Sequence, residues 1–249
     1  MAPTPPRSPS PGPARILYVF PHPDDECFGP AAAIARQRRE GHEVHLLTLT
    51  RGGATKQRHA LGLTVQEMGR VRVREMEAMA EVLELTDLTV LDFPDGGLAE
   101  IDPRPLENAI DDHIQAVRPD VVVTYPIHGI SGFADHIVAH AVVKRVHCEL
   151  GDRFPDRAAR RLAFFTLAPI EDEPSRRITL RTSDPARIDC TERVTNEDVA
   201  RARKALDQYV TYRDIVQELD PLGRVGRAIH FELFREAHDP RLGRLTEGL

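Results

Sequence analysis

The sequence predicts a single Rossmann-like α/β domain, a mostly parallel sheet flanked by helices, and three observations predict it. Short apolar, β-branched runs alternate with stretches of helical period, the connections between them are brief, and no internal repeat marks a second domain. The chain has 249 residues, 41% of them hydrophobic, which is enough to bury one sizeable core.

The first strand is read over residues 14–20 (ARILYVF), and a polar loop with three consecutive acids follows it. Residues 31–40 are helix formers that stop at Gly41, the residue type best able to adopt a left-handed cap. Residues 44–50 (VHLLTLT) then resume a strand. Within residues 66–85, Met68, Val71, Met76, Met79 and Val82/Leu83 recur near helical spacing, and residues 88–93 read as the third strand. A helix over 105–117 leads to residues 120–124 (DVVVT), a β-branched run suited to a buried central strand. The remainder reads as a helix over 135–150, strands over 162–167 and 177–182, and one long helix over 197–219. Residues 1–13 are dense in Pro and Ser and predict a disordered tail, leaving 14–249 as the domain.

A net charge of -6 argues against nucleic acid as a partner and for a small-molecule ligand. Cys27, Cys148 and Cys190 have no CxxC spacing, so neither a disulfide framework nor a cysteine zinc site is expected. No apolar run approaches the roughly 20 residues that span a bilayer, and the start lacks a secretory apolar stretch. A soluble cytoplasmic protein with no membrane span is therefore expected. The sequence neither requires nor forbids a homo-oligomer.

In an open parallel sheet, ligands bind beyond the carboxyl ends of the strands, where His22-Pro23-Asp24-Asp25-Glu26 falls. Imidazole and carboxylate are zinc ligands, and residues three apart in a tight turn converge, so His22 and Asp25 form half a metal site. Asp24 points elsewhere and suits the role of general base. Capping of the next helix is the competing role for these acids, Glu26 above all. His136 follows the fourth strand and emerges at the same sheet edge, so it can supply a third ligand. Two histidines and one carboxylate with an open fourth position describe a catalytic Zn2+ site, and Fe2+ or another divalent ion suits the same donors. His140 lies one helical turn further on without the acid of an HExxH pattern and reads as a supporting histidine.

With these residues the chain resembles the LmbE-like or PIG-L deacetylase family, whose hallmarks are a strand followed by HPDDE and a later glycine-containing segment ending in DH. The resemblance spans residues 15–141, through Phe20-Pro-His-Pro-Asp-Asp-Glu26 with Phe28-Gly29, Arg72 with Glu75, and Asp92-Phe-Pro-Asp-Gly-Gly-Leu98. It implies a zinc-dependent hydrolase that removes the N-acetyl group from an N-acetylglucosamine-containing small molecule, a glycoconjugate or a low-molecular-weight-thiol precursor. It also implies metal ligation by His22, Asp25 and His136, with Asp24 as the base. Three positions depart from the family pattern. Phe133 stands where a histidine that assists the leaving group is usual, Arg51-Gly52-Gly53 replaces Gly-Glu, and no histidine occurs near Tyr209. Arg72 and Asp95 are candidate substrate contacts, and His128 is a candidate alternative to Asp24 as proton donor to the leaving amine. Two other functions fit the same ligands: a sugar-binding protein of impaired turnover, and a non-heme iron enzyme. The adjacent Asp24 favours hydrolysis.

Overall fold

The computed structural model of the protein describes residues 12–169 and 180–249. Seven strands, β1 (Arg15–Phe20), β2 (Glu43–Thr50), β3 (Asp87–Phe93), β4 (Val121–Thr124), β5 (Arg161–Thr166), β6 (Cys190–Arg193) and β7 (Ala228–Leu233), form one sheet in the order β3-β2-β1-β4-β5-β7-β6. The pairings from β3 through β5 are parallel, whereas β7 runs antiparallel to both β5 and β6. The helices are α1 (Asp25–Phe28), α2 (Ala31–Arg39), α3 (Gln57–Ala60), α4 (Val65–Leu83), α5 (Pro103–Val117), α6 (Ala134–Arg153), α7 (Asn196–Leu206), α8 (Arg213–Leu219) and α9 (Pro221–Val225).

Successive residues of the central strands enter opposite layers of core, which is why these strands read as unbroken apolar runs. Ile16, Tyr18, Phe20, Val121 and Val123 pack with residues of α2, α4 and α7, while Leu17, Val19 and Val122 pack with residues of α5 and α6. Gly41 adopts φ 90° and ends the α2 segment as its residue type predicts. A capping box starts α4: the Thr64 hydroxyl accepts from the Glu67 amide at 3.2 Å, and Glu67 accepts from the Thr64 amide at 2.9 Å.

Two expectations change at the C-terminal side. The single helix over 197–219 is two helices, α7 and α8, parted at Tyr209 and a 3-10 turn over Val210–Tyr212. The break has a tertiary cause, because Tyr209 is buried and donates a 2.6 Å hydrogen bond to Glu26, a contact that a continuing helix would pull apart. The strand read over 177–182 falls partly outside the described residues, and its described part, 180–182, is irregular. The sheet is completed instead by β6 and β7.

Strands β2 and β3 lie on one side of β1, and β4 and β5 lie on the other. The topological switch point is therefore between β1 and β4, and the crevice there opens at their carboxyl ends. Among the described residues, no helix is long and apolar enough to cross a membrane.

Candidate active site

The loop after β1 separates its two aspartates by backbone geometry. Asp24 sits at φ 82°, a left-handed conformation uncommon outside glycine and best tolerated by Asp and Asn. Asp25 turns back so that its Oδ2 accepts from the His22 amide at 2.9 Å. The Asp24 carboxylate instead accepts from Arg72 Nη2 at 2.5 Å.

His136 comes from the first turn of α6, across the switch point. Its Nε2 lies 3.3 Å from His22 Nδ1 and 3.4 Å from Asp25 Oδ1, and His22 Nδ1 lies 3.6 Å from Asp25 Oδ2. The outward ring nitrogen of each histidine has an acceptor of its own. His136 Nδ1 donates to the Gly129 carbonyl at 3.0 Å, and His22 Nε2 donates to Asp135 Oδ2 at 3.1 Å. Both inward nitrogens thus face each other and a carboxylate, and once His22 has released its second proton they present two lone pairs and a carboxylate to one point, a donor set that suits a cation. The spacings also suit one, since metal-to-ligand distances of about 2.0–2.2 Å in a tetrahedral site put ligand atoms about 3.3–3.6 Å apart. His22, Asp25 and His136 therefore form a group able to hold a metal ion.

The surrounding charges explain the protonation of the metal-free group. Burial disfavours the His22 imidazolium, but the Asp135 hydrogen bond and the charges of Asp25, Asp95 and Asp135 outweigh it and lift His22 to about 9. For His136 burial dominates and lowers the pKa, keeping the ring neutral.

A second ring of residues holds these three, and the sequence reading passed over most of it. Asp135 is buried and accepts from the Gly96 and Leu98 amides at 2.8 and 3.1 Å as well as from His22, which aims the imidazole inward. Tyr125 stacks on the His136 ring at 4.1 Å and 10°, and its hydroxyl donates to Asp25 Oδ1 at 2.8 Å. One side chain thus braces two of the three groups. His140 donates to the Tyr125 carbonyl at 2.9 Å and packs on Phe164, as befits a supporting histidine. Gly129 sits at φ 63° with a would-be Cβ 2.9 Å from His136 Cβ, so a larger residue there would push the imidazole off its carbonyl. Asp135 adjoins His136 in the DH pair and Tyr125 directly follows the predicted central strand, which were the available signals. We expect Tyr125→Phe, which keeps the ring stack but loses the bond to Asp25, to weaken metal affinity about tenfold in a chelator competition. An unchanged Kd would show that the hydroxyl does not brace Asp25.

On the Asp24 side, burial pushes the carboxyl up to about 6 although the Arg72 guanidinium works in the opposite direction. Arg72 itself is buried, donates to the Pro23 carbonyl at 2.6 Å, and stacks its guanidinium 4.1 Å above Tyr212. These contacts hold the guanidinium against Asp24, and Arg72 also lines the cleft, where the sequence suggested a substrate contact. Glu75, one turn further along α4, accepts from the Thr211 amide and hydroxyl at 2.8 and 2.7 Å and so ties the 3-10 turn to the cleft. Glu26 lies in the first turn of α1 and faces the core, where Tyr209 meets one oxygen and burial raises its pKa to about 7.

The cleft over these groups has a volume of about 790 Å³ and is lined by His22, Asp24, Asp25, Arg72, Asp95 and His136 among others. Asp95 accepts from the Ala54 amide at 2.6 Å and lies 3.4 Å from His22 Nε2, which places it beside the metal-ligand group. His128 is not part of this lining: its Nδ1 accepts from the Ile130 amide at 3.1 Å and its Nε2 lies 3.3 Å from Ser183 Oγ. Phe133 stands at the rim, 57% exposed and edge-on to His136.

A Rossmann-like sheet whose switch point carries a His/Asp/His group beside a buried carboxylate defines an α/β protein with a candidate metal-binding cleft. Residues 17–147, more than half of the chain, match the family described as PIG-L: GlcNAc-PI de-N-acetylase, and the chain belongs to that family. A 1D-myo-inositol 2-acetamido-2-deoxy-alpha-D-glucopyranoside deacetylase of Kineococcus radiotolerans is 33% identical over 168 residues, which are 56% of this chain and 46% of that protein. The chain spans about half the length of the curated relatives it matches. A deacetylase of the teicoplanin biosynthesis pathway has a similar structure, with a TM-score of 0.66 at 16% identity, covering 88% of this chain and 97% of that one. So has a 4-carboxy-2-hydroxymuconate hydratase of Pseudomonas putida, with a TM-score of 0.62 at 17% identity, covering 90% and 98%. At such identities the likeness shows the fold alone. A fold that serves both a deacetylase and a hydratase leaves the reaction to be argued from the site.

Proposed function

We propose that this chain is a zinc-dependent hydrolase that removes the acetyl group from an N-acetylglucosamine-containing small molecule. The observation that carries the reading is the convergence of two imidazole nitrogens and the Asp25 carboxylate at 3.3–3.6 Å, with the buried Asp24 lining the same cleft. The family match and the names of the curated relatives support an N-acetyl amide of an amino sugar as the substrate. His22, Asp25 and His136 would hold the zinc ion, which when bound supplies acidity to water and polarises the acetyl carbonyl.

The chain's own residues move the proton. Asp24 takes the proton of the attacking water, and a carboxylate lifted to about 6 remains ionised at neutral pH while holding the proton well enough to pass it on. Arg72 fixes the orientation of that carboxylate. The leaving nitrogen receives the same proton from Asp24, because His128 lies outside the cleft wall and Phe133 has none to give. Phe133→His is accordingly expected to retain metal and to keep or raise turnover, and His128→Ala to cost little. A loss of about a hundredfold or more in His128→Ala would make His128 the acid and overturn the assignment.

The metal-free chain also makes a pH prediction. Below about pH 9 His22 holds a proton that zinc must displace, so zinc affinity falls as pH falls, by about tenfold per pH unit for one proton released. Calorimetry in buffers of different ionisation enthalpy counts that proton. Affinity that stays flat between pH 6 and 8 would contradict it. The three free cysteines, two of them buried, suit a reducing cytoplasm, where we place the enzyme. The reading is tested by incubating the zinc-loaded chain with a panel of N-acetylglucosamine conjugates. Equimolar acetate and free amine are expected from at least one, and neither product from any would refute it.

A further inference from the structure

The cleft has two unlike walls. The loops after β1, β2, β3 and β4, with Arg72 of α4, supply the polar one. The other is built by Phe28 of α1, Phe165 and Leu167 at the end of β5, Ile215 of α8, and Pro221 and Val225 of α9. Five of these six lie beyond residues 17–147, in the part of the chain outside the family match, and Arg224 adds a charge to the same wall. This wall is held in place: Tyr209 is bonded to Glu26, Thr211 to Glu75, and α9 packs on α1 directly beside the metal-ligand group.

At about 790 Å³ the cleft lies in the size range that encloses a ligand larger than one acetamido sugar, about 300–1,000 Å³. What occupies the remaining space is set by the wall that faces it. Aliphatic and phenyl side chains offer no donors or acceptors, so a polyol placed against them would give up hydration without replacement, whereas an alkyl or aryl group would be driven there by burial.

We propose that the substrate carries an apolar group next to its acetamido sugar and that the α8–α9 wall selects for it. The proposal rests on the deacetylase reading only for the bond that is broken. The apolar group has two sources, an aglycone or an acyl chain longer than acetyl, and the two are separable. In the first series the zinc-loaded chain is given N-acetylglucosaminides whose O-alkyl group lengthens from methyl to octyl. In the second, methyl glucosaminides carry N-acyl groups that lengthen from acetyl to octanoyl. In the series whose tail meets the wall, kcat/KM is expected to climb about threefold to fourfold per methylene until the wall is covered. Ile215→Asp should flatten the climb, and Val225→Asp should do the same if the first variant unfolds on heating earlier than the native chain.

Binding separates this proposal from the deacetylase reading. Alkyl glucosides and N-alkyl glucosamines of the same lengths contain no amide, and their affinities are measured by calorimetry. Affinity that rises with tail length without any amide cleavage supports the apolar wall while sinking the deacetylase. Cleavage of acetyl substrates with kcat/KM and affinity flat or falling along every series overturns the apolar wall alone.

Discussion

Asp24→Asn is expected to bind one zinc ion per chain, the stoichiometry also expected of the native protein, and to lose about a hundredfold or more of its turnover. The amide preserves the shape of the side chain, and its oxygen can still accept from Arg72, but it cannot take the proton of the attacking water. Arg72 then remains buried beside a neutral partner, and breaking such a pair completely costs about 3–5 kcal/mol. The variant should therefore also unfold at lower temperature, and its turnover must be normalised to folded, zinc-loaded protein. Near-normal turnover after that correction would remove Asp24 from the mechanism.

The second large effect is expected at His136. His136→Ala leaves His22 and Asp25 as a two-ligand remnant, and zinc affinity should fall by about a hundredfold or more, with loss of the bound metal on dialysis. His140→Ala is the informative comparison, since the same helix presents both imidazoles four residues apart. His140 bonds to the Tyr125 carbonyl and packs on Phe164, so its loss should lower stability while leaving metal stoichiometry near one per chain. If the two variants lost metal equally, an i, i+4 histidine pair would have to replace the arrangement described here.

The parts legible in the sequence were those fixed by local pattern. The apolar run of β1 and the Val-Val-Val of β4 mark strands buried on both faces, and two such strands meeting at a switch point bring His22, Asp25 and His136 to one crevice before any distance is known. What the pattern did not contain were features set by partners far along the chain. The helical period over 197–219 carries no sign that Tyr209 will leave the helix for Glu26, a contact spanning 183 residues. The burial of Arg72 depends on Asp24, 48 residues earlier, and on Tyr212. Tyr125 and Asp135 were visible as residue types, but their roles exist only once Asp25 and His22 are in place. His128 was visible as a histidine close in sequence to His136, but its bonds to the Ile130 amide and toward Ser183 could not be read from the pattern.

The most direct test of the account is a zinc titration of the metal-stripped chain in which bound metal and acetate release are followed together, on the best substrate of the N-acetylglucosamine panel. Acetate release should rise linearly with bound zinc, break at one equivalent, and be absent from His136→Ala at the same total zinc. Acetate released at full rate by the stripped chain, or a chain filled with one equivalent of zinc that cleaves no amide in the panel, would contradict it.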